Sequence, residues 1–219
     1  MDCCQCKGIE TLFNEKEARN KLRAYRKNGP AKTTRILIEA LERLAATQDR
    51  QGLEGMTLLD IGGGVGAIQH ELLRAGLERA TGVEASNAYM KAAQQEAERQ
   101  GYGERVSYFH ANFVEIAPQL PSADIVTLDR VICCYHDMPA LVGLSVSKAG
   151  ALYGLVYPLD VWWAKTAISI GNLFLRVIRN PFRGFIHRTQ AVDALVRKNG
   201  FQQRFYKRSG PWQVVVYGH

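Results

Sequence analysis

"LLDIGGGVGAIQHEL", residues 58–72, sets four glycines in five positions, Gly62, Gly63, Gly64 and Gly66, between an apolar run and a stretch of helix formers. Glycine weakens strands and helices alike. A cluster at this junction therefore marks a place where the backbone must turn sharply or come close to something. A tight turn packing a helix on a strand accounts for one or two glycines, not for four. The pattern fits a strand ending in a turn that feeds a helix whose first N–H groups are free to bind a ligand. In open α/β sheets such ligands sit beyond the carboxyl ends of the strands.

The flanking sequence supports that reading. "MTLLDI" (56–61) predicts a buried strand and 65–75 a helix, then "ATGVEA" (80–85) a strand and 86–100 a helix capped by Ser86. "RVSYFHA" (105–111), "ADIVTLD" (123–129) and "ALYGLVYP" (151–158) predict three more strands, with a helix over 138–148. Upstream, 11–27 and 31–46 predict two helices separated by Asn28-Gly29-Pro30. Beyond Pro158 the alternation breaks into an apolar stretch, 159–178. A helix over 189–199 and two β-like runs around Ser209-Gly210-Pro211 follow, predicting a closing hairpin. The fold class expected is α/β: a doubly wound, seven-stranded, mainly parallel sheet whose last strand is antiparallel. The organisation expected is a helical cap over 1–49, a core over 50–219 and a lid insertion over 158–187, cap and core forming one compact unit.

Composition narrows the class. A chain of 219 residues, 47% hydrophobic, can build one full core. It has neither an apolar run long enough for a bilayer nor a leader-like N-terminus, which points to the cytoplasm. The five cysteines, Cys3, Cys4, Cys6, Cys133 and Cys134, form two clusters that make a poor disulfide framework. Cys3 and Cys6 lack a second ligand pair at zinc spacing, so no metal is expected. The net charge of +7 divides unevenly: +5 over 1–35, −6 over 36–157 and +8 over 158–219.

The ligand is a nucleotide-like molecule, and two kinds fit the glycines. Gly62-x-Gly64-x-x-Ala67 with Glu84 downstream satisfies a dinucleotide fingerprint, leaving an NAD-dependent oxidoreductase as an alternative. Three features favour S-adenosylmethionine. Asp60 places a carboxylate that would repel a pyrophosphate and attract a methionine ammonium. Seven strands with a hairpin differ from the six parallel strands of dinucleotide folds. Asn112-Phe113, after the third strand, can hydrogen-bond and flank an adenine.

The D-x-G-x-G-x-G run over 60–66 resembles the motif of class I S-adenosylmethionine-dependent methyltransferases, and the resemblance covers roughly residues 50–219. It implies a Rossmann-like methyltransferase fold. Asp60, Gly62, Gly64 and Gly66 would hold the methionine part of the cofactor, Glu84 the ribose, and Asn112 and Phe113 the adenine. Asp129 and Arg130 would lie by the transferred methyl. More weakly, the layout is similar to that of magnesium protoporphyrin O-methyltransferases. A basic helix with Tyr25 and the "AKTTRIL" helix precede the glycines, and "TLDRVICCYHDM" and "TQAVDALVRKNGFQQRFYKRSGPWQ" occupy corresponding places. Where that family carries His-Tyr, this chain has Cys134-Tyr135 with His136 displaced, so the resemblance extends to layout only.

Methyl transfer from a sulfonium is an in-line displacement in which the protein mainly aligns the reactants. A carboxylate acceptor needs no base, whereas a hydroxyl does, and His136 is the candidate. Tyr25 and Tyr135 could orient the nucleophile, Cys133 and Cys134 pack beneath the pocket, and His70 and His187 read as surface residues. No Asp-Asn pair follows Asp129 to support a divalent-metal mechanism. In 159–178, Trp162, Trp163, Phe174 and Leu175 read either as a lid walling an apolar pocket or, with Arg176, Arg179 and Arg183, as a helix resting on anionic lipid. The expected substrate is a small or medium apolar molecule with a carboxylate or hydroxyl acceptor. The basic flanks favour an anionic one, with Arg23, Arg26, Arg179 and Arg183 as the attracting set. A pI near 9.2 keeps an RNA-modifying methyltransferase as an alternative, but no separate RNA-binding module or Asn-Pro motif supports nucleic acid.

Overall fold

The computed structural model describes residues 4–46 and 52–219, with side chains from residue 8 onward. Cys3, the side chains of Cys4 and Cys6, and the 49/50 domain boundary therefore lie outside what is described.

Seven strands form one sheet: β1 (Thr57–Ile61), β2 (Arg79–Glu84), β3 (Val106–His110), β4 (Ala123–Asp129), β5 (Ala149–Pro158), β6 (Gln202–Ser209) and β7 (Trp212–Gly218). Their order is β3-β2-β1-β4-β5-β7-β6, with β7 running opposite to the other six. The chain starts in the middle, winds outward to β3, then returns past β1 to β4. The order reverses between β1 and β4, which is where a doubly wound sheet opens a ligand crevice.

Period-two alternation sorts the central side chains onto two faces. Leu58, Ile125, Leu152, Val156, Val214 and Val216 face one helical layer. Leu59, Ile61, Val126, Leu128, Tyr153, Leu155 and Tyr217 face the other. The first layer comprises α3 (Lys32–Ala45), α4 (Ala67–Arg74) and α5 (Asn87–Arg99). The second comprises α6 (Phe113–Ile116), α7 (Met138–Val146) and α9 (Thr189–Lys198). Gly154 lets α3 approach closely, because a Cβ there would stand 2.9 Å from Leu37 Cδ1.

The N-terminal helix expected over 11–27 is two helices, α1 (Cys4–Leu12) and α2 (Glu15–Asn28). Asn14 breaks the run by accepting the amides of Lys16 and Glu17 at 3.0 and 3.3 Å, a cap reinforced by Glu15 and Glu17 in the first turn. The cap docks through α2. Arg26 pairs with the wholly buried carboxylate of Glu96 at 2.8 Å, and Tyr25 Oη donates to Glu71 at 2.9 Å. Arg99 foremost, with Gln100 and Arg26, pulls the Glu96 carboxyl down to about 2.

That docking buries His70, which reads as a surface residue in sequence. It lies at 0% exposure beneath α2, with the Tyr25 ring 5.9 Å away. Burial lowers its pKa to about 4. Between about pH 6.5 and 4 the unfolded chain takes up a proton that the native ring refuses, so stability is lost as pH falls through that window. His70→Leu removes the effect. As pH falls through the window, its stability relative to the parent should rise by roughly 1.4 kcal/mol for each pH unit, measured by urea unfolding at several pH values. The opposing titration of Asp60 is common to both proteins and cancels. A difference that does not change with pH would contradict the burial.

Between β5 and α9, helix α8 (Trp162–Val177) stands against this frame with only Ala164 buried. Among the described residues no helix is long and apolar enough to cross a membrane.

Candidate active site

The glycine run follows β1 at the reversal of strand order. Gly62, Gly64 and Gly66 adopt φ of 65, 58 and 78°, left-handed values that side chains resist. The Gly62 amide donates to Val83 O at 2.7 Å, tying the loop to β2, and Gly66 opens α4 with no side-chain cap. The glycines serve different ends. A Cβ on Gly63 would collide with Asp60 Oδ2, and one on Gly66 would lie 2.7 Å from His70 Cε1. A Cβ on Gly64 would meet nothing nearer than Tyr89 Cδ1 at 3.5 Å, so protein packing leaves that position open.

Beside the loop lies a cavity of about 720 Å³, within the range of small-molecule sites. Of the residues expected to bind the cofactor, Gly62, Gly64, Glu84, Asn112, Phe113, Asp129 and Arg130 line it. Asp60 and Gly66 do not. Register sets Asp60 beside Thr127 on β4, with both side chains toward α4. There Asp60 accepts from Thr127 Oγ1 at 2.7 Å and from Gln69 Nε2 at 3.0 Å. Burial raises its pKa to about 6. It is a buttress under Gly63 rather than a wall of the cavity.

Glu84 ends β2 at the cavity wall. Its carboxylate accepts the amides of Gly64 at 2.9 Å and Ser86 at 3.0 Å, which leaves acceptor capacity for a ligand's hydroxyls. Burial pushes its pKa up against those amides. Asn112, after β3, accepts the Val114 amide at 3.3 Å and donates to Tyr135 Oη at 3.3 Å. Phe113 beside it is buried.

At the end of β4, Asp129 Oδ2 accepts from Thr34 Oγ1 at 2.5 Å, and Arg130, at φ 63°, donates to Thr33 Oγ1 at 2.6 Å. The guanidinium sits 5.4 Å from the Trp212 ring centroid. Burial raises the Asp129 pKa. Thr33 and Thr34 stand in the first turn of α3, whose N-cap, Ala31, offers no side-chain oxygen. Ala31 and Lys32 line the cavity, bringing the positive end of that helix dipole to its wall.

The expected catalytic set divides. Tyr25 and Tyr135 line the cavity. Burial raises Tyr25 to about 12 and its hydroxyl already donates to Glu71, so it cannot serve as a base near neutrality. His136 is a correction. It is exposed and absent from the cavity wall, because the turn over Ile132–Cys134 carries it outward, where it stacks on Tyr135 at 5.2 Å. Cys133 and Cys134 do belong to the wall, with sulfurs 3.8 Å apart. The lid residues Trp162, Trp163, Phe174 and Leu175 do not line the cavity. The segment after α8 packs against residues of the wall instead. The Phe182 ring lies 5.9 Å from Phe13, the Phe185 amide donates to Cys133 O at 2.8 Å, and His187 Nε2 lies 2.9 Å from Tyr135 O.

The basic set is also corrected. None of Arg23, Arg26, Arg179 and Arg183 lines the cavity, whereas Lys21, Lys32, Arg35 and Arg130 do. Summed charge located the basic segments but not which side chains turn inward. The uncapped α3 start, "AKTTR", was the available signal.

Residues 59–143 match the profile of a methyltransferase domain. Among solved structures, magnesium protoporphyrin IX methyltransferase from Synechocystis PCC 6803 with bound S-adenosylhomocysteine superposes at TM-score 0.72 and 18% identity, covering 96% of this chain and 98% of that one. An O-methyltransferase family protein from Burkholderia thailandensis gives TM-score 0.70 and 16% identity over 96% of this chain and 62% of that one. A family 2 O-methyltransferase from Planctomyces limnophilus in complex with apigenin gives 0.66 and 18% over 94% and 61%. At these identities the likeness is one of fold, and this chain spans about three-fifths of the latter two proteins. No curated relative matches the sequence. Domain match, fold and loop agree: residues 59–143 carry a methyltransferase domain, and the chain has the fold of class I S-adenosylmethionine-dependent methyltransferases. The open side of Gly64 with the acceptor capacity of Glu84 fits S-adenosylmethionine, the cofactor that the glycine motif implies. This answers the NAD alternative.

Proposed function

We propose that the chain methylates an oxygen, carboxylate or hydroxyl, on a small molecule with an apolar body and an anionic group. The observation that carries this is the cavity wall: apolar Ile9, Phe13 and Leu141 together with cationic Lys21, Lys32, Arg35 and Arg130 and the uncapped start of α3.

When bound, S-adenosylmethionine supplies an electrophilic methyl on a sulfonium. Glu84 would accept the ribose hydroxyls, Asn112 and Phe113 would border the adenine, and Gly62, Gly64 and the first amides of α4 would line the methionine part. Asp60 acts as a positioning residue, holding Gln69 and Thr127 beneath the loop. Asp129 and Arg130, locked by Thr34 and Thr33, would border the reacting oxygen. A carboxylate acceptor fits a wall that offers no histidine, since an anionic oxygen needs no proton removed before attack. The domain reading is a cap ending at 49 that forms one unit with the core, since α2 and α3 supply part of the cavity wall. The expected cellular setting is the cytoplasm.

The test is turnover of labelled S-adenosylmethionine on matched acceptor pairs, free acid against neutral amide. The acid should be preferred, kcat/KM should fall several-fold from low to high salt, and Lys21→Gln with Arg35→Gln should flatten that dependence. Equal turnover of the neutral partner with a salt-insensitive rate would overturn the anionic-acceptor reading.

A further inference from the structure

The α8 helix carries a large apolar surface that the cavity does not use. Trp162 is 78% exposed, Val177 73%, Ile170 64%, Phe174 63% and Leu173 62%, with Trp163 and Ile178 also exposed. At about 100° per residue, Trp162, Leu173, Val177, Ile170, Trp163 and Phe174 fall within one 120° sector. Ala164, Ile168, Asn172 and Leu175, the less exposed positions, lie on the side turned to the protein. Lys165, Ser169 and Arg176 form a polar stripe along one border of the apolar sector. Thr166 is the polar residue inside the sector, and its hydroxyl turns back to donate to Trp162 O at 3.1 Å; a soluble monomer rarely leaves so large an apolar patch to water.

Charge identifies what covers it. Between Asp160 and Asp193 there is no acidic residue, while Lys165, Arg176, Arg179, Arg183 and Arg188 all lie in that interval. Two copies packed through this face would bring like charges together. A partner must be apolar in depth and anionic at its rim. An anionic lipid surface has both properties, and tryptophans beside arginines suit the boundary between headgroups and acyl chains.

We propose that α8 is an interfacial anchor that lies in the plane of an anionic membrane, with Trp162, Ile170, Leu173, Phe174 and Val177 embedded. The helix is tied to the cavity by its return segment. Asn172 exchanges two 2.8 Å hydrogen bonds with the backbone of Gly184. Phe182, Phe185 and His187 then contact Phe13, Cys133 and Tyr135 of the cavity wall. Lipid docking would therefore set the arm packed on the cavity wall at the bilayer surface, where an amphiphilic acceptor is concentrated. Binding to lipid does not depend on the acceptor reading and is tested apart from it.

The experiment is flotation of the full chain with vesicles of phosphatidylcholine alone or mixed with phosphatidylglycerol, with tryptophan fluorescence as a second readout. The parent should float with the anionic vesicles, shift its emission to the blue and release in high salt. Trp162→Ser with Phe174→Ser and Val177→Ser should weaken partitioning more than tenfold. Each of Arg176→Gln and Arg179→Gln should weaken it by about fivefold. S-adenosylhomocysteine affinity should not change in any of these variants, which verifies that they fold. Failure of the parent to bind anionic vesicles would overturn the proposal. So would equal binding to neutral ones, or a dimer in sedimentation that the triple variant dissociates.

Discussion

Gly64→Val should reduce affinity for S-adenosylhomocysteine at least a hundredfold while leaving a folded protein. The position tolerates a side chain as far as the protein's own atoms are concerned, since a Cβ would meet only Tyr89 ring carbons at 3.5 and 3.7 Å. The φ of 58° adds strain of about 1–2 kcal/mol for a residue with a Cβ. That is a modest loss for a domain of this size. The branched side chain would stand in the cavity, where the ligand's backbone must pass. A hundredfold corresponds to about 2.7 kcal/mol, the scale of a lost close approach. Gly63→Ala is the contrasting variant. Its Cβ would collide with Asp60 Oδ2 and come within 2.6 Å of Gln69 Nε2, so stability should suffer first. Calorimetry and thermal melts of both variants separate the cases. Affinity in Gly64→Val within about threefold of the parent would remove the loop from the cofactor site.

Glu84→Ala should weaken the same ligand by more than tenfold. Two charge-assisted hydrogen bonds to ribose hydroxyls are each worth about 1.5–3 kcal/mol. The loss also frees the amides of Gly64 and Ser86 from their acceptor, loosening the loop from β2. Glu84→Gln keeps an acceptor for one amide and should fall between the parent and the alanine variant. A loss below about threefold in Glu84→Ala, by calorimetry, would show that another group takes the ribose.

Much of the fold was legible because the central strands are buried on both faces and read as short, nearly continuous apolar runs between turns. The hairpin announced itself through Ser209-Gly210-Pro211, and Ser86 through the helix it caps, accepting the Tyr89 amide at 3.2 Å. The same double burial concealed which way Asp60 points. A strand apolar on both sides gives no polarity to phase it by, although Asp60 shares a face with Leu58, two positions before it. His136 was misplaced for a different reason. Its distance from β4 in sequence is right, but the short turn over Ile132–Cys134 rotates the chain so that Tyr135 borders the cavity and His136 faces water. His70 could not be known as buried from its own helix, since the helix covering it, α2, lies some forty residues earlier. The apolar run over 159–178 was visible, but which side of the helix meets the protein depends on its return segment, held by Asn172 and Gly184.

In the proposed site, the Gly62–Gly66 loop and Glu84 would hold the cofactor with its reacting end toward Asp129 and Arg130. A crystal structure with S-adenosylhomocysteine measures this directly. Both ribose hydroxyls should lie within hydrogen-bond reach of the Glu84 carboxylate, with the homocysteine chain over Gly62–Gly64 and the sulfur on the Asp129 side. A ligand bound elsewhere, or a ribose that does not touch Glu84, would contradict it.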